Sequence, residues 1–432
     1  MKKGMQKLSK AKQLLTILSA QSVSTYANQV IAFVVPWLIL TRTGNAASAG
    51  TIAFIMGLAA VAGTLAGGLI TDRIGGRRVS MLADGLSLIT ALALAGALWF
   101  DFFSLWFVAV TQILGVFFDG PGGIAKITTV PAAAQEENVP ITRAMGLTQT
   151  LQGMATFLGP ITAGLLIAAF GEANTLFVAT ILFLAGIVLV SRLRKHTVVH
   201  EQPMSTRQAY NDMREALQFL INEPFLSKMQ LVGPLMGAVL GPISALILPA
   251  WFIFANQDSQ ALGIFLGAGA IGGMVGGTIF AALAHKLTQR TWLVGATAMY
   301  AVAMLGLYFL QPGSLAAVGV SFLAGLMMSM MFAVPFSAFY SRTPQKLLGR
   351  VGSLGMATGA TMGAVASLGF GWLIHSVSAP VALLVCAIVM GGIATALGTL
   401  PFVRLLDEPS EATEVAPKVK PQRVSAPELA TS

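Results

Sequence analysis

Long apolar runs, broken by short polar or glycine-rich connections, recur twelve times along this chain. They cover 14–40, 48–71, 79–100, 104–126, 142–170, 173–191, 225–255, 260–284, 291–310, 314–340, 351–375 and 378–403. An α-helix needs about 20 apolar residues to cross the roughly 30 Å of a bilayer core, so the pattern predicts twelve membrane-spanning helices. Internal Gly and Pro do not argue against this, because neighbouring helices can satisfy the freed backbone groups. The longest internal connection separates six runs from six, giving a first bundle over 1–191, a linker over 192–224 and a second bundle over 225–403. Within the linker, Ala209, Met213, Ala216, Leu217 and Leu220 recur at helical spacing behind a Ser205 cap, which predicts an amphipathic helix on the membrane surface that Pro224 ends. Residues 404–432 are rich in Pro, Glu, Lys and Ser and have no aromatics, the composition of a disordered tail.

Composition agrees with an all-α integral membrane protein: 55% of residues are hydrophobic, 10% are charged, and the mean hydropathy is +0.77. The net charge of +9 does not indicate nucleic acid, since the basic residues cluster at the ends of apolar runs. With both termini on one side, every Lys and Arg of the 26 except Arg42 falls on that side, Lys126 being counted at the end of the fourth run. The positive-inside rule then places both termini in the cytoplasm. Gln21, Ser22, Asn28 and Gln29 interrupt the first run and no cleavage site follows, so it reads as an uncleaved span. The single cysteine, Cys386, excludes an intramolecular disulfide. No nucleophile–base arrangement, P-loop or metal-ligand spacing appears, and His285 and His375 read as ordinary interfacial residues. Enzymatic chemistry, a cofactor and a metal are therefore not expected.

Charge inside this apolar chain is where chemistry is sought. The stretch GGLITDRIGGRRVSM places Asp72, Arg73, Arg77 and Arg78 between spans 2 and 3. Gly75 and Gly76 supply the backbone freedom of a tight reversal, and Arg77 and Arg78 suit anionic lipid phosphates. Asp72 gains nothing from that leaflet and sits at the negative end of a helix dipole. GGTIFAALAHKLTQR can be laid over this stretch, pairing Lys286 with Arg73, Arg290 with Arg77 and His285 with Asp72. Two such six-span halves are a transporter architecture, with the substrate site between them.

GGLITDRIGGRR resembles the loop 2/3 motif of the major facilitator superfamily, G-x-x-x-D-R-x-G-R-R. It matches at Gly68, Asp72, Arg73 and Gly75, departs at Gly76, and resumes displaced by one at Arg77 and Arg78. The resemblance implies that Asp72 pairs with the start of span 11, near Gly352 and Ser353, and clamps the two bundles. In many members an arginine of span 4 joins the clamp, where this chain has only Lys126. GMATFLGPITAGL, with Gly153, Gly159, Pro160 and Gly164, is similar to the span 5 motif of facilitator-type antiporters, in which Pro permits a bend and small residues admit a helix of the other half. VVPWLILTRTGNAASAG, FFDGPGGIAKITTVPAAAQEENVPITRAMGL and NDMREALQFLINEPFLSKM extend the resemblance to the macrolide-efflux and enterobactin-exporter branch. That resemblance implies a monomeric, multi-pass protein of the bacterial inner membrane that expels amphipathic small molecules by proton antiport.

An antiporter needs a group that can be protonated within the bilayer, and two carboxylates qualify: Asp84 early in span 3 and Asp119 late in span 4, both nearer the cytoplasmic end than the midplane. A structural bond to a neighbouring loop is an equal reading of each. Related exporters often carry an acid where Asn28 stands; asparagine cannot titrate but can bind substrate. Gln21, Thr25 and Asn28 share one face of span 1, and Thr148, Gln152 and Thr156 one face of span 5, facing either a wet cavity or another helix. Met327, Met328, Met330, Met331, Phe332 and Phe336 in span 10 suit either an adaptable apolar pocket or ordinary core and lipid contacts, with Phe332 and Phe336 the cavity candidates. The sequence leaves two rivals to a proton-driven exporter: an uncoupled or importing facilitator, and a receptor or scaffold that keeps the fold without turnover.

Overall fold

The computed structural model describes residues 12–193, 206–344 and 347–406. Thirteen α-helices account for the twelve spans and the linker among these residues. The first bundle comprises α1 (Lys12–Thr43), α2 (Ala46–Ile74), α3 (Gly76–Trp99), α4 (Leu105–Glu136) and α5 (Ile141–Ser191). At 51 residues α5 is far too long for one crossing, and Gly171 breaks it with φ 80° and ψ 171°, so it carries spans 5 and 6. The linker helix is α6 (Thr206–Asn222). The second bundle begins with α7 (Pro224–Pro242), a π-helical turn (Ile243–Ile247) and α8 (Leu248–Phe254), which together form span 7 around three prolines, Pro234, Pro242 and Pro249. It continues with α9 (Ser259–Leu283), α10 (Gln289–Phe309), α11 (Leu315–Arg342), α12 (Leu348–Ser376) and α13 (Ala379–Thr399), and closes with a 3₁₀ turn (Pro401–Leu406).

Side-chain caps start several of these helices at the end of the molecule opposite the termini, called here the far end: Asn45 accepts from Ala47 and Ser48 N–H, Asp258 from Ala261 N–H, and Ser314 from Ala317 N–H. Large apolar side chains all round the molecule, among them Ile89, Trp106, Ile181, Leu231 and Ile388, remain more than half exposed. Such a surface belongs against lipid.

The two halves repeat one packing scheme. Gly63 and Gly67 of α2 lie against Phe117 and Pro121 of α4, while Gly272 and Gly276 of α9 lie against Phe322 and Leu326 of α11. Arg77 Nη2 donates to Ser191 O at the end of span 6, and Arg290 Nη2 donates to Gly398 O at the end of span 12. The sequence pairing of Arg77 with Arg290 thus has a structural counterpart: each cation closes the carbonyl end of the last helix of its own bundle.

The bundles touch along α2 with α12 and α5 with α9. These seams are lined by small residues. A methyl added at Gly50 would stand 2.8 Å from Gly371 Cα, and one at Gly164 would stand 3.0 Å from Gly263 Cα. Ser259 Oγ adds a hydrogen bond to Gly164 O at 3.0 Å. Gly50, Gly371, Gly164 and Ser259 all lie near the far-end ends of their helices, so this conformation is packed shut there.

Several expectations change. The fourth span runs to Glu136, ten residues beyond the expected limit, so Lys126 is inside it and leaves the count of loop cations, and Asp119 stands near its middle rather than near one end. Gly75 makes the reversal with φ 87°, whereas Gly76 already belongs to α3 and is needed for proximity: a methyl there would lie 3.3 Å from Ala125 O. Arg77 serves the end of span 6 instead of lipid phosphate; Arg78 is exposed. In α6, Ala216 is buried against Leu347 and Val351 of the second bundle, with Phe219 and Leu220 beside it, while Leu217 is 51% exposed and does not share that contact. Ser205 and the side chains of Ala209 and Met213 lie outside the described residues, as do 407–432. Val403 and Leu406 are buried, so packed chain extends past the expected boundary at 404.

Candidate functional site

Among the described residues the buried charged side chains are two, Asp84 and Lys126, and they meet. Lys126 Nζ lies 2.6 Å from Asp84 Oδ1 and donates to Ser24 Oγ at 2.7 Å. Ser24 Oγ in turn lies 3.1 Å from Asp84 Oδ2. Three spans contribute one group each: α1 the hydroxyl, α3 the carboxylate, α4 the ammonium. Span 6 closes the site with Gly186, where a methyl would stand 2.8 Å from Ser24 Oγ and 3.1 Å from Asp84 Oδ2. Removing one partner of such a pair strands the other charge in a low dielectric, a cost of about 3–5 kcal/mol.

Next to the pair is a small polar cavity of about 40 Å³ lined by Gln21, Ser24, Thr25, Asn28, Asp84, Asp119 and Lys126, with Ala83, Gly122 and Gly123 as its smooth wall. A water occupies on the order of 10–15 Å³ on this measure, so the cavity has room for a few waters and not for a drug-sized molecule. Asp119 accepts a hydrogen bond from Ser87 Oγ at 2.8 Å. Gln21 is 4% exposed, and its Oε1 has no hydrogen-bond partner among the described residues. Buried acceptors of this kind ordinarily find a donor, and the cavity is where a water could supply one.

The structure thus brings together Asp84 and Asp119 with the expected span 1 face of Gln21, Thr25 and Asn28, and adds Lys126, Ser24, Ser87 and Gly186. Asp84 is bonded to neighbouring helices, not to a loop. Gln152 does not line this cavity, and Thr148 is buried with its hydroxyl on Ala144 O, so it faces its own helix. Thr156 instead receives Gln29 Nε2 at 3.1 Å, and Tyr26 Oη and Thr162 Oγ1 are 2.5 Å apart, which joins span 1 to span 5. Phe332 is partly buried against the hydrophobic core that runs through both bundles, and Phe336 is 57% exposed. Of the span 5 motif, Gly164 meets span 8 of the other bundle, Gly159 meets Gln29 of span 1, and Gly153 faces open space. Pro160 sits within regular helix. The side-chain placements of Asp72 and Arg73 lie outside the described residues. Among those described, no three His, Cys, Asp or Glu gather as a metal site requires.

Gly186→Ala is expected to push Ser24 off the pair and lower stability by about 1–3 kcal/mol, the cost of overpacking a tight contact, read as a lower Tm in detergent.

A chain of paired six-span halves with small-residue seams and one buried charge cluster has known counterparts. The Major Facilitator Superfamily pattern matches residues 17–367. The chain belongs to that superfamily. It is therefore a multi-pass membrane transporter and not an enzyme. It is 29% identical over 354 residues to the multidrug efflux pump Tap of Mycolicibacterium fortuitum, covering 80% of this chain and 86% of that one. It is 24% identical to the enterobactin exporter EntS of Citrobacter koseri, over 84% of this chain and 86% of the relative. Among solved structures, the nucleoside transporter NupG superposes with a TM-score of 0.72 at 14% identity, covering 90% of this chain and 98% of that one. The D-xylose-proton symporter gives 0.69 at 13% identity, over 89% and 96%. At such identities the two structures speak for the fold alone.

Proposed function

We propose that this transporter is a secondary active exporter of amphipathic small molecules that exchanges them for protons by alternating access. It works as a monomer in the bacterial inner membrane with both termini cytoplasmic. The observation that carries this reading is the cluster, inside the first bundle, of the buried Asp84–Lys126 pair with the half-buried Asp119. An ionisable group inside a membrane bundle is costly, and such groups mark ion or proton pathways. The cavity suits water and protons rather than the exported molecule, whose site in this architecture lies between the two bundles. The relatives' names, a multidrug efflux pump and an enterobactin exporter, support outward transport of bulky, partly apolar compounds. Far-end packing through Gly50, Gly371, Gly164 and Ser259 corresponds, with cytoplasmic termini, to a state closed toward the outside.

Proteoliposomes loaded with ethidium test the reading. Efflux that accelerates under an imposed pH gradient and is accompanied by counter-movement of protons supports antiport. Flux indifferent to the gradient would make the protein a facilitator, and binding without flux a receptor. Asp72→Asn is expected to slow gradient-driven efflux about tenfold, or about 1.4 kcal/mol in the barrier, with normal membrane insertion, because a clamp between bundles acts on interconversion and not on folding. An unchanged rate would remove Asp72 from the clamp.

A further inference from the structure

Asp84 and Asp119 share one cavity but not one environment. Asp84 is held by Lys126 Nζ and Ser24 Oγ. Asp119 receives Ser87 Oγ and has no ion pair among the described residues. The charged groups that face Asp119 are Asp84 from α3 and Lys126 from its own helix; α1 faces it with Gln21, Ser24, Thr25 and Asn28, and α2 packs beside it with Thr64 against Gly120, none of which titrates. Two carboxylates and one ammonium leave one negative charge uncancelled if all three are ionised. In a low dielectric that excess is expensive, and taking up a proton removes it. The pair in direct contact cancels itself, so the uncancelled charge falls on Asp119.

Resting on the exporter reading above, we propose that Lys126 is a positioning residue: it fixes Asp84 as a charge-neutral pair and so confines proton exchange to Asp119, one proton per cycle. The step is a transfer between an Asp119 carboxylate oxygen and water in the cavity, giving the neutral acid on loading and the carboxylate on release, with no other bond changed. Asp119 and Lys126 are seven residues apart on α4 and so share a face, and helical side chains lean toward the N-terminus. An ammonium freed from Asp84 would therefore turn toward Asp119 and neutralise it, and loss of the ammonium would leave Asp84 as a second site for protons.

The test is a double-mutant cycle with two readouts, ethidium efflux driven by a pH gradient and the infrared carbonyl band of protonated carboxyls followed through a pH titration in detergent. Asp84→Asn and Lys126→Gln singly are expected to reduce efflux at least ~10-fold, and Asp84→Asn with Lys126→Gln together to restore it to within ~3-fold of the unaltered protein. Exposed carboxyls titrate in every variant and cancel in difference spectra between variants; in these, one carboxyl band of the unaltered protein should be missing from Asp119→Asn, present in the double variant, and joined by a second in Lys126→Gln. A double variant that binds ethidium yet transports no better than either single one would overturn the proposal, as would spectra of the unaltered protein and of Asp119→Asn that titrate alike. Absence of proton-linked efflux in the unaltered protein would instead defeat the exporter reading, and the band pattern would still decide the role of Lys126.

Discussion

Replacing Asp119 by asparagine is expected to reduce gradient-driven ethidium efflux by about a hundredfold, or about 2.7 kcal/mol, while ethidium binding changes less than about twofold. The separation follows from the geometry. Asn keeps an acceptor for Ser87 Oγ and is close in volume, so the packing among α1, α3 and α4 survives. What it removes is the capacity to alternate between a carboxylate and a neutral acid at mid-helix. An uncoupled carrier would still equilibrate ethidium down its own gradient, and counterflow exchange measures that directly. Strongly reduced exchange as well would mean that Asp119 serves the fold or the rocking motion instead of the proton. Asp84→Asn with Asp119→Asn in one chain should be no better, and intact gradient-driven efflux in that variant would remove both carboxylates from the coupling.

The second large effect is expected at the far-end seam. Gly50 and Gly371 approach so closely that a methyl at Gly371 would lie 2.8 Å from Ala46 O and 2.9 Å from Gly50 Cα, both backbone atoms of a buried helix start. Leucine there cannot be relieved by swinging a side chain aside, so Gly371→Leu blocks closure of α12 on α2. The variant should insert and bind ethidium, yet transport it at least about tenfold more slowly, because it is held open at the far end. A cysteine placed at Thr51 of the same seam should then react with a membrane-impermeant maleimide faster than in the Gly371 protein. Unchanged labelling and transport would show that this contact does not govern the cycle.

How much of this was legible beforehand depended on whether the signal was local. Hydropathy gave the spans because lipid demands about 20 apolar residues whatever the neighbours, and a helix-breaking residue at Gly171 separated spans 5 and 6 near where the pattern faltered. Lys126 has the sequence signature of a span end, so the apolar pattern stops the fourth span ten residues short of Glu136. A charge ends an apolar run only when it faces water, and this one faces Asp84. That partner stands 42 residues away on another helix, a relation no periodicity reveals. Asp84 and Asp119 were identifiable singly, since any membrane carboxylate attracts notice. Their division into a paired and an unpaired group came only with the packing of three helices. Gly186 carried no sequence signal among the glycines of the spans; its role is to leave space for Ser24 and Asp84. The basic pattern of loop 2/3 suggests lipid phosphate because a cation beside a membrane usually faces it, whereas Arg77 turns inward to Ser191 O. Its counterpart Arg290 does the same in the second half, so the sequence repeat was recognised before its chemistry was.

The most direct measurement uses paired spin labels at the two ends of the molecule. One pair sits at Thr41 and Val377 at the far end, and the other at Ile74 and Leu217 at the end bearing the termini; all four positions are exposed. Distances are recorded in nanodiscs across a pH titration, with and without ethidium. A pair of rocking bundles governed by a proton on Asp119 requires the two distances to change in opposite directions with pH, and Asp119→Asn to freeze both. Distances that stay constant, or that widen and narrow together, would contradict it.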